Sequence, residues 1–174
     1  MKKKDRAFVA MNVAVLTTSD SRTDETDTSG KALADHLIEA GHKLYERIIL
    51  RDDVYELRAT VSRWIADENV DVVLVTGGTG MTGRDITPEA LQPLFDKNIE
   101  GFGELFRWIS YQEIKTSTIQ SRAIAGVANG TLIFCMPGST GACNTAWNSI
   151  LKDQLDIRNG PCNFAEQLPR LKEK

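Results

Sequence analysis

Thr76-Gly77-Gly78-Thr79-Gly80, followed within one loop by Arg84 and Asp85, is the segment of this chain best equipped for chemistry. Backbone almost free of side chains lets a large or charged group approach, and free N–H groups near a helix start suit an anion, most often phosphate. A carboxylate beside a phosphate cradle makes electrostatic sense only with a cation between them, so Asp85 points to Mg²⁺. Pro137-Gly138-Ser139-Thr140-Gly141 forms a second glycine loop, and Ser19 to Gly30 forms a loop of hydroxyls and acids that includes Asp20, Asp24 and Asp27. Asp53 and Glu56 read as a variant capping box. That leaves neighbouring Asp52 without a structural task and available as a second carboxylate.

Taken singly, each feature has a plain explanation: a Gly-Gly turn, a solvated turn aspartate, a second helix cap. Two familiar motifs also fail. Gly78 to Gly83 spells G-x-G-x-x-G, yet a dinucleotide fingerprint needs its helix to start within the glycines, and Thr87-Pro88 places the start later. The same residues approach a P-loop, but Arg84-Asp85 stands where Lys-Ser or Lys-Thr is required.

The elements that must position these loops are legible as apolar runs alternating with helical stripes, the form of an α/β domain with a mainly parallel sheet. Strands are expected at 12–17, 42–50, 71–75 and 131–136. Val72 to Val75 is apolar without alternation, as in a strand buried on both faces. Helices follow on Leu33, Leu37 and Ile38, with Thr28 or Ser29 as cap and Gly41 as stop, and on Val54, Leu57, Val61, Trp64 and Ile65. Further helices are expected from Thr87-Pro88, with threonine as cap, on Phe102 to Ile109, and on Ala142 to Leu151. Trp64, Trp108 and Trp147 are expected in the core or an interface. In a parallel sheet all carboxyl ends lie on one edge, so the three loops should meet there. Residues 1–11 are expected to be a flexible start, with Lys2 to Lys4 solvated, 12–158 the domain, and 159–174 a loop-like tail.

At 174 residues, 41% hydrophobic and 26% charged, the composition suits one globular domain. A formal charge of −3 gives no basic field for nucleic acid. Asn12 interrupts the early apolar run and no small-residue cleavage site follows, which argues against a signal peptide; no stretch is long enough to span a membrane. Cys135, Cys143 and Cys162 form no C-x-x-C pair, which favours a reducing, cytoplasmic setting, and two histidines make a histidine-rich metal site a poor fit.

Together, Thr76-Gly77-Gly78-Thr79-Gly80, Arg84-Asp85-Ile86-Thr87-Pro88-Glu89, Ser121-Arg122-Ala123, Asn129-Gly130-Thr131-Leu132-Ile133 and Met136-Pro137-Gly138-Ser139 resemble the MoaB/MogA family of molybdenum cofactor biosynthesis proteins. Gly101-Phe102-Gly103-Glu104 and Pro161-Cys162-Asn163-Phe164 look closer to the MoaB type. The resemblance implies a three-layer α/β molybdopterin-binding fold, a homotrimer or homohexamer, molybdopterin as ligand, and other cofactor-biosynthesis proteins as partners. Active members transfer AMP from Mg-ATP to the terminal phosphate of the pterin; a non-catalytic pterin carrier is the alternative. Carried over by position, Asp52 and Asp85 match required carboxylates and would hold Mg²⁺, with ATP as co-substrate. Ser121 and Arg122 match a ligand-facing S-R-A motif, and the loop residues Ser19, Asp20, Thr76 to Gly80, Arg84, Pro137, Gly138 and Ser139 fall in the implied substrate site. One departure stands out: many relatives carry P-G-S-P-K-A, whereas Gly141 replaces the lysine here.

Overall fold

The computed structural model describes residues 6–173, so the expected solvated start at Lys2 to Lys4 lies outside the described residues. In chain order the elements are β1 (Asn12–Thr18), α1 (Thr28–Glu39), β2 (Lys43–Leu50), α2 (Val54–Ala66), β3 (Val72–Thr76), α3 (Thr87–Leu91), β4 (Lys97–Asn98), α4 (Glu100–Ile114), β5 (Ile124–Ala128), β6 (Thr131–Met136), α5 (Thr140–Ala146), α6 (Lys152–Gln154) and α7 (Phe164–Leu171). They build one six-stranded sheet of order β2-β1-β3-β6-β5-β4. Strands β2, β1, β3 and β6 are mutually parallel; β5 runs antiparallel to β6, and β4 antiparallel to β5.

Successive strand residues point to opposite faces. Val13, Val15, Val72 and Leu74 therefore pack with Leu33, Leu37, Phe102, Phe106 and Trp147 on one side. Ala14, Leu16, Val73 and Val75 pack with Leu57, Val61 and Trp64 on the other. Helices cover both faces of the central strands, which is why those strands read as unbroken apolar runs. Of the tryptophans, Trp64 and Trp147 are buried, while Trp108 on α4 is 66% exposed.

Several boundaries differ from expectation for identifiable reasons. The cap of α1 is neither Thr28 nor Ser29 but Asp27, whose Oδ1 accepts the Gly30 N–H at 2.9 Å. Asp53 caps α2 as expected, accepting from the N–H groups of Tyr55 and Glu56, but its own N–H donates to the Arg51 carbonyl and completes no box. The residue before α3 is Ile86, and Thr87 is not a cap: its buried hydroxyl donates to the Gly77 carbonyl at 2.8 Å. The long helical stripe at 142–151 divides, because α5 widens into a π turn at Trp147–Leu151 before α6.

The carboxyl-terminal tail is not loop-like throughout. Asn163 caps α7 through the Glu166 N–H at 2.7 Å, and Phe164, Leu168 and Leu171 pack against the core. Pro169 inside the helix disguises it in sequence. Within the start expected to be flexible, Met11 is buried, and Phe8 packs against His42 and under the Arg158 guanidinium. No helix among the described residues is long and apolar enough to cross a membrane.

The β5–β6 hairpin shapes the site. Its two-residue turn, Asn129-Gly130, has φ of 48° and 84°, the left-handed pair that matches the twist of a tight hairpin. Ile124 consequently pairs with Cys135, so β5 begins at the edge where β6 ends.

Candidate functional site

The carboxyl ends of β1, β3 and β6 lie side by side, and their loops line a cavity of about 480 Å³. Its walls include Ser19, Asp52, Gly77, Gly78, Thr79, Gly80, Arg84, Asp85, Ser121, Pro137 and Gly138, so most of the residues expected from sequence do converge. Thr18, Ile114, Ser117 and Gln120 join them without having been anticipated.

The glycine loop is held from beneath. Gly77 N–H donates to the Met136 carbonyl at 3.1 Å, and Thr87 N–H donates to the Gly78 carbonyl at 2.9 Å. Gly77 and Gly78 have φ of 103° and 63°, backbone that L side chains rarely adopt. A Cβ on Gly77 would collide with the Thr18 carbonyl oxygen, and one on Gly138 would sit 3.1 Å from the Gly77 Cα. The two glycine loops thus pack main chain against main chain. Among the described residues no protein acceptor faces the N–H groups of Gly78 and Thr79, which leaves them available to a ligand anion.

Asp52 stands beside Gly78 and Asp85 beside Gly80. Asp85 Oδ2 accepts from the Thr82 hydroxyl at 2.6 Å and the Thr82 N–H at 2.8 Å. The Thr82 hydroxyl does most to hold the Asp85 carboxyl below its ordinary value; partial burial opposes it, and the Thr82 and Gly80 N–H groups and Arg122 reinforce it. Asp52 is shifted the other way: burial and the Asp20 carboxylate raise it, Arg84 lowers it, and Asp85 raises it again. Two carboxylates in one cavity form a hard oxygen donor set. That suits Mg²⁺. Among the described residues no group of three or more His, Cys, Asp or Glu could hold a metal, so Asp52 and Asp85 would supply only part of its shell. This is the ordinary situation for magnesium, which keeps waters and substrate phosphates as its other ligands.

Other expected site residues serve as supports. Asp20 does not line this cavity; it grips Arg84 through Nε at 2.8 Å and Nη2 at 2.7 Å, and so orients that guanidinium at the wall. Thr76 is buried, and its hydroxyl donates to the Pro137 carbonyl at 3.1 Å, tying one glycine loop to the other. Ser139 caps α5, accepting from the Ala142 N–H at 3.1 Å. Arg122 does not face the cavity. Its Nε donates to the Gly80 carbonyl at 2.8 Å, Nη2 donates to the Asp85 carbonyl at 2.9 Å, and Nη1 pairs with Glu89. It acts on any ligand through the loop. Asp27, counted among the acids of the first loop, is buried and accepts from Thr17 Oγ1 at 2.8 Å and Arg47 Nη2 at 2.8 Å.

Cys135 and Cys143 are buried and are not equipped as nucleophiles. Burial pushes the Cys143 thiol up to about 11, and burial raises Cys135 further. What the cavity offers chemically is two carboxylates, an arginine and free backbone N–H groups, a set suited to neutralising and positioning an anionic ligand.

Comparison with known proteins identifies the family of the chain. Residues 14–157 match a family described as a probable molybdopterin binding domain. Molybdenum cofactor biosynthesis protein B of Escherichia coli (strain K12) is 54% identical over 170 residues, covering 98% of this chain and 100% of that protein. A crystal structure of a molybdenum cofactor biosynthesis protein B superposes with a TM-score of 0.87 at 42% identity, covering 97% of this chain and 100% of the other. The tungsten cofactor synthesizing protein MoaB from Pyrococcus furiosus gives a TM-score of 0.77 at 32% identity, with 94% and 98% covered.

Proposed function

We propose, from the premise that this chain belongs to the molybdopterin-binding domain family of molybdenum cofactor biosynthesis proteins, that it is a molybdopterin adenylyltransferase. The observation that carries this reading is the placement of Asp52 and Asp85 in the same cavity as an open glycine loop. A terminal phosphate oxygen of molybdopterin attacks the α-phosphorus of ATP, forming one P–O bond. The bond from that phosphorus to the α–β bridging oxygen breaks, and its electron pair leaves with pyrophosphate. Gly78 and Thr79 N–H groups bind phosphate oxygens, Arg84 is held at the wall by Asp20, and Arg122 fixes the loop that carries Asp85. Asp52 and Asp85 would hold magnesium, which would supply neutralisation of charge on the phosphate oxygens.

Incubation of the protein with molybdopterin and Mg-ATP, followed by detection of adenylylated pterin, tests the reading. Asp85→Asn is expected to lower the rate by about a hundredfold, because it removes one carboxylate charge from the site. Failure to form the product, or an unchanged Asp85→Asn rate, overturns catalysis.

Gly141 favours a second reading, a pterin carrier of the same pathway. A Cβ at Gly141 meets nothing within 4 Å, so the position has room for the lysine that the family pattern carries and this chain lacks. Gly141→Lys is expected to tighten Mg-ATP binding by about tenfold in calorimetry, the effect of one added charge-assisted hydrogen bond. Tight pterin binding by the natural chain without Mg-ATP binding would favour the carrier.

A further inference from the structure

At the end of the sheet opposite the cavity, an amino-terminal arm, residues 6–11, leads into β1. Ala7 and Val9 are exposed, whereas Phe8 is half-buried and Met11 buried, so the arm depends on a few anchors. Arg6 Nη1 pairs with Glu166 of α7 at 2.8 Å. Phe8 lies close over Gly41, beneath the Arg158 guanidinium, and against the His42 ring at 5.1 Å between centroids. Met11 is held at both ends: its N–H donates to His42 Nδ1 at 3.2 Å, and its carbonyl accepts from the Lys43 N–H at 2.9 Å.

The His42 anchor differs from the others because it depends on a proton. An imidazole nitrogen accepts a hydrogen bond only while it carries no proton itself, so this contact belongs to the neutral ring with its proton on Nε2. His42 is 5% exposed, tilted against Phe8 and edge-on to Trp147, surroundings that solvate a charge poorly. Among the described residues the charged group that acts on the ring is Asp156, and its carboxylate is already held by Arg158 through Nε at 2.9 Å and Nη2 at 2.7 Å. His36 stands apart from it, stacked on Trp147 with Nε2 at 2.8 Å from Asn144 Oδ1. Burial holds His42 below its ordinary value near 6.5, and Asp156 offsets this in part.

We propose that His42 is an acid-sensitive latch: its neutral ring holds the amino-terminal arm against the corner between α1 and β2, and a proton on Nδ1, facing the Met11 N–H, releases it. A folded-state value below the unfolded one gives stability that is fully present above about 6.5 and lost as pH falls through the folded value. Release frees residues 6–11 while β1 stays paired with β2 and β3, so the response is local.

Hydrogen exchange of the full chain, followed residue by residue by NMR from about pH 7.5 down to about pH 5, tests it. The Met11 amide is expected to lose protection about tenfold per pH unit below 6.5 until the folded value is reached. It is also expected to stay less protected than the Val15 amide of β1, as a local release requires. His42→Asn offers a side-chain oxygen that can accept the same bond and does not titrate, so its Met11 protection should hold constant over that range. The ring titration of His42 in the natural chain needs no variant: its midpoint is expected below 6.5, with the Met11 amide signal moving in step. The same pH slope in His42→Asn, Met11 protection that does not follow the ring, or equal protection at Met11 and Val15 overturns the proposal.

Discussion

Asp27→Ala is expected to cost about 3–5 kcal/mol of folding stability in urea or thermal unfolding, the scale for removing one partner of a buried ion pair. The Asp27 side chain has no exposed surface and pairs with the partly exposed Arg47. It also caps α1 through the Gly30 N–H and accepts from the Thr17 and Ser29 hydroxyls. Alanine would leave the Gly30 N–H and the Arg47 guanidinium without this acceptor, and Arg47 Nε already lacks one. Gly30 belongs to the same arrangement, because a Cβ there would overlap the Asp27 carboxylate and the Thr17 hydroxyl. The pH dependence follows. Burial alone would raise Asp27, but Arg47, the Gly30 N–H and the Thr17 hydroxyl outweigh it and hold the carboxyl below its ordinary value near 3.8. A depressed folded-state pKa gives stability that is fully present above the unfolded value and lost as pH falls through the folded one. The natural chain should therefore lose this contribution below about pH 4, whereas Asp27→Asn should show a shallower acid limb. Equal acid limbs in the two proteins would remove Asp27 from the explanation.

Gly77→Ala is expected to destabilise the fold by about 3 kcal/mol or more and to abolish binding of magnesium pyrophosphate. The methyl group meets the Thr18 carbonyl, which belongs to β1 and cannot swing aside as a side chain would, and the φ of 103° adds backbone strain. Moving the loop away from β1 would also break the Gly77 contact to the Met136 carbonyl and disturb the neighbouring Gly138. Gly83→Ala is the control, since a Cβ there meets nothing within 4 Å. If Gly77→Ala melts and binds like Gly83→Ala, the close packing of the glycine loops does not govern the site.

The parallel strands and the convergence of their loops were legible because runs such as Val72 to Val75 carry a two-sided burial signal that only a covered sheet explains. Strand β5 was not, since Ile124-Ala125-Gly126-Val127-Ala128 is short and small-residued, and Gly126 is required there by the Phe95 ring lying against it. The signal that could have found β5 is Asn129-Gly130, a hairpin turn pair ahead of the apolar run of β6. Strand β4 is two exposed polar residues and has no pattern to read. The site was legible where a glycine or a spare aspartate stands out in its own segment, as at Gly78, Asp52 and Asp85. It was illegible where a role depends on distant chain: Arg122 matches a motif, yet its guanidinium is engaged by a carbonyl 42 residues away. Similarly, Thr28 and Ser29 are good caps locally, and the distant Thr17 and Arg47 contacts that hold Asp27 in that position are not visible in its own segment.

The antiparallel entry of β5 gives the protein a separable wall. Its register against β6 is set at the far end of the hairpin, by Asn129-Gly130, so residues gained or lost before Ile124 need not slide the strand. Lineages or designers could thus exchange the 115–121 connection, and with it one wall of the cavity, while keeping the β5–β6 register. The lining of the cavity and the integrity of the sheet would then vary independently.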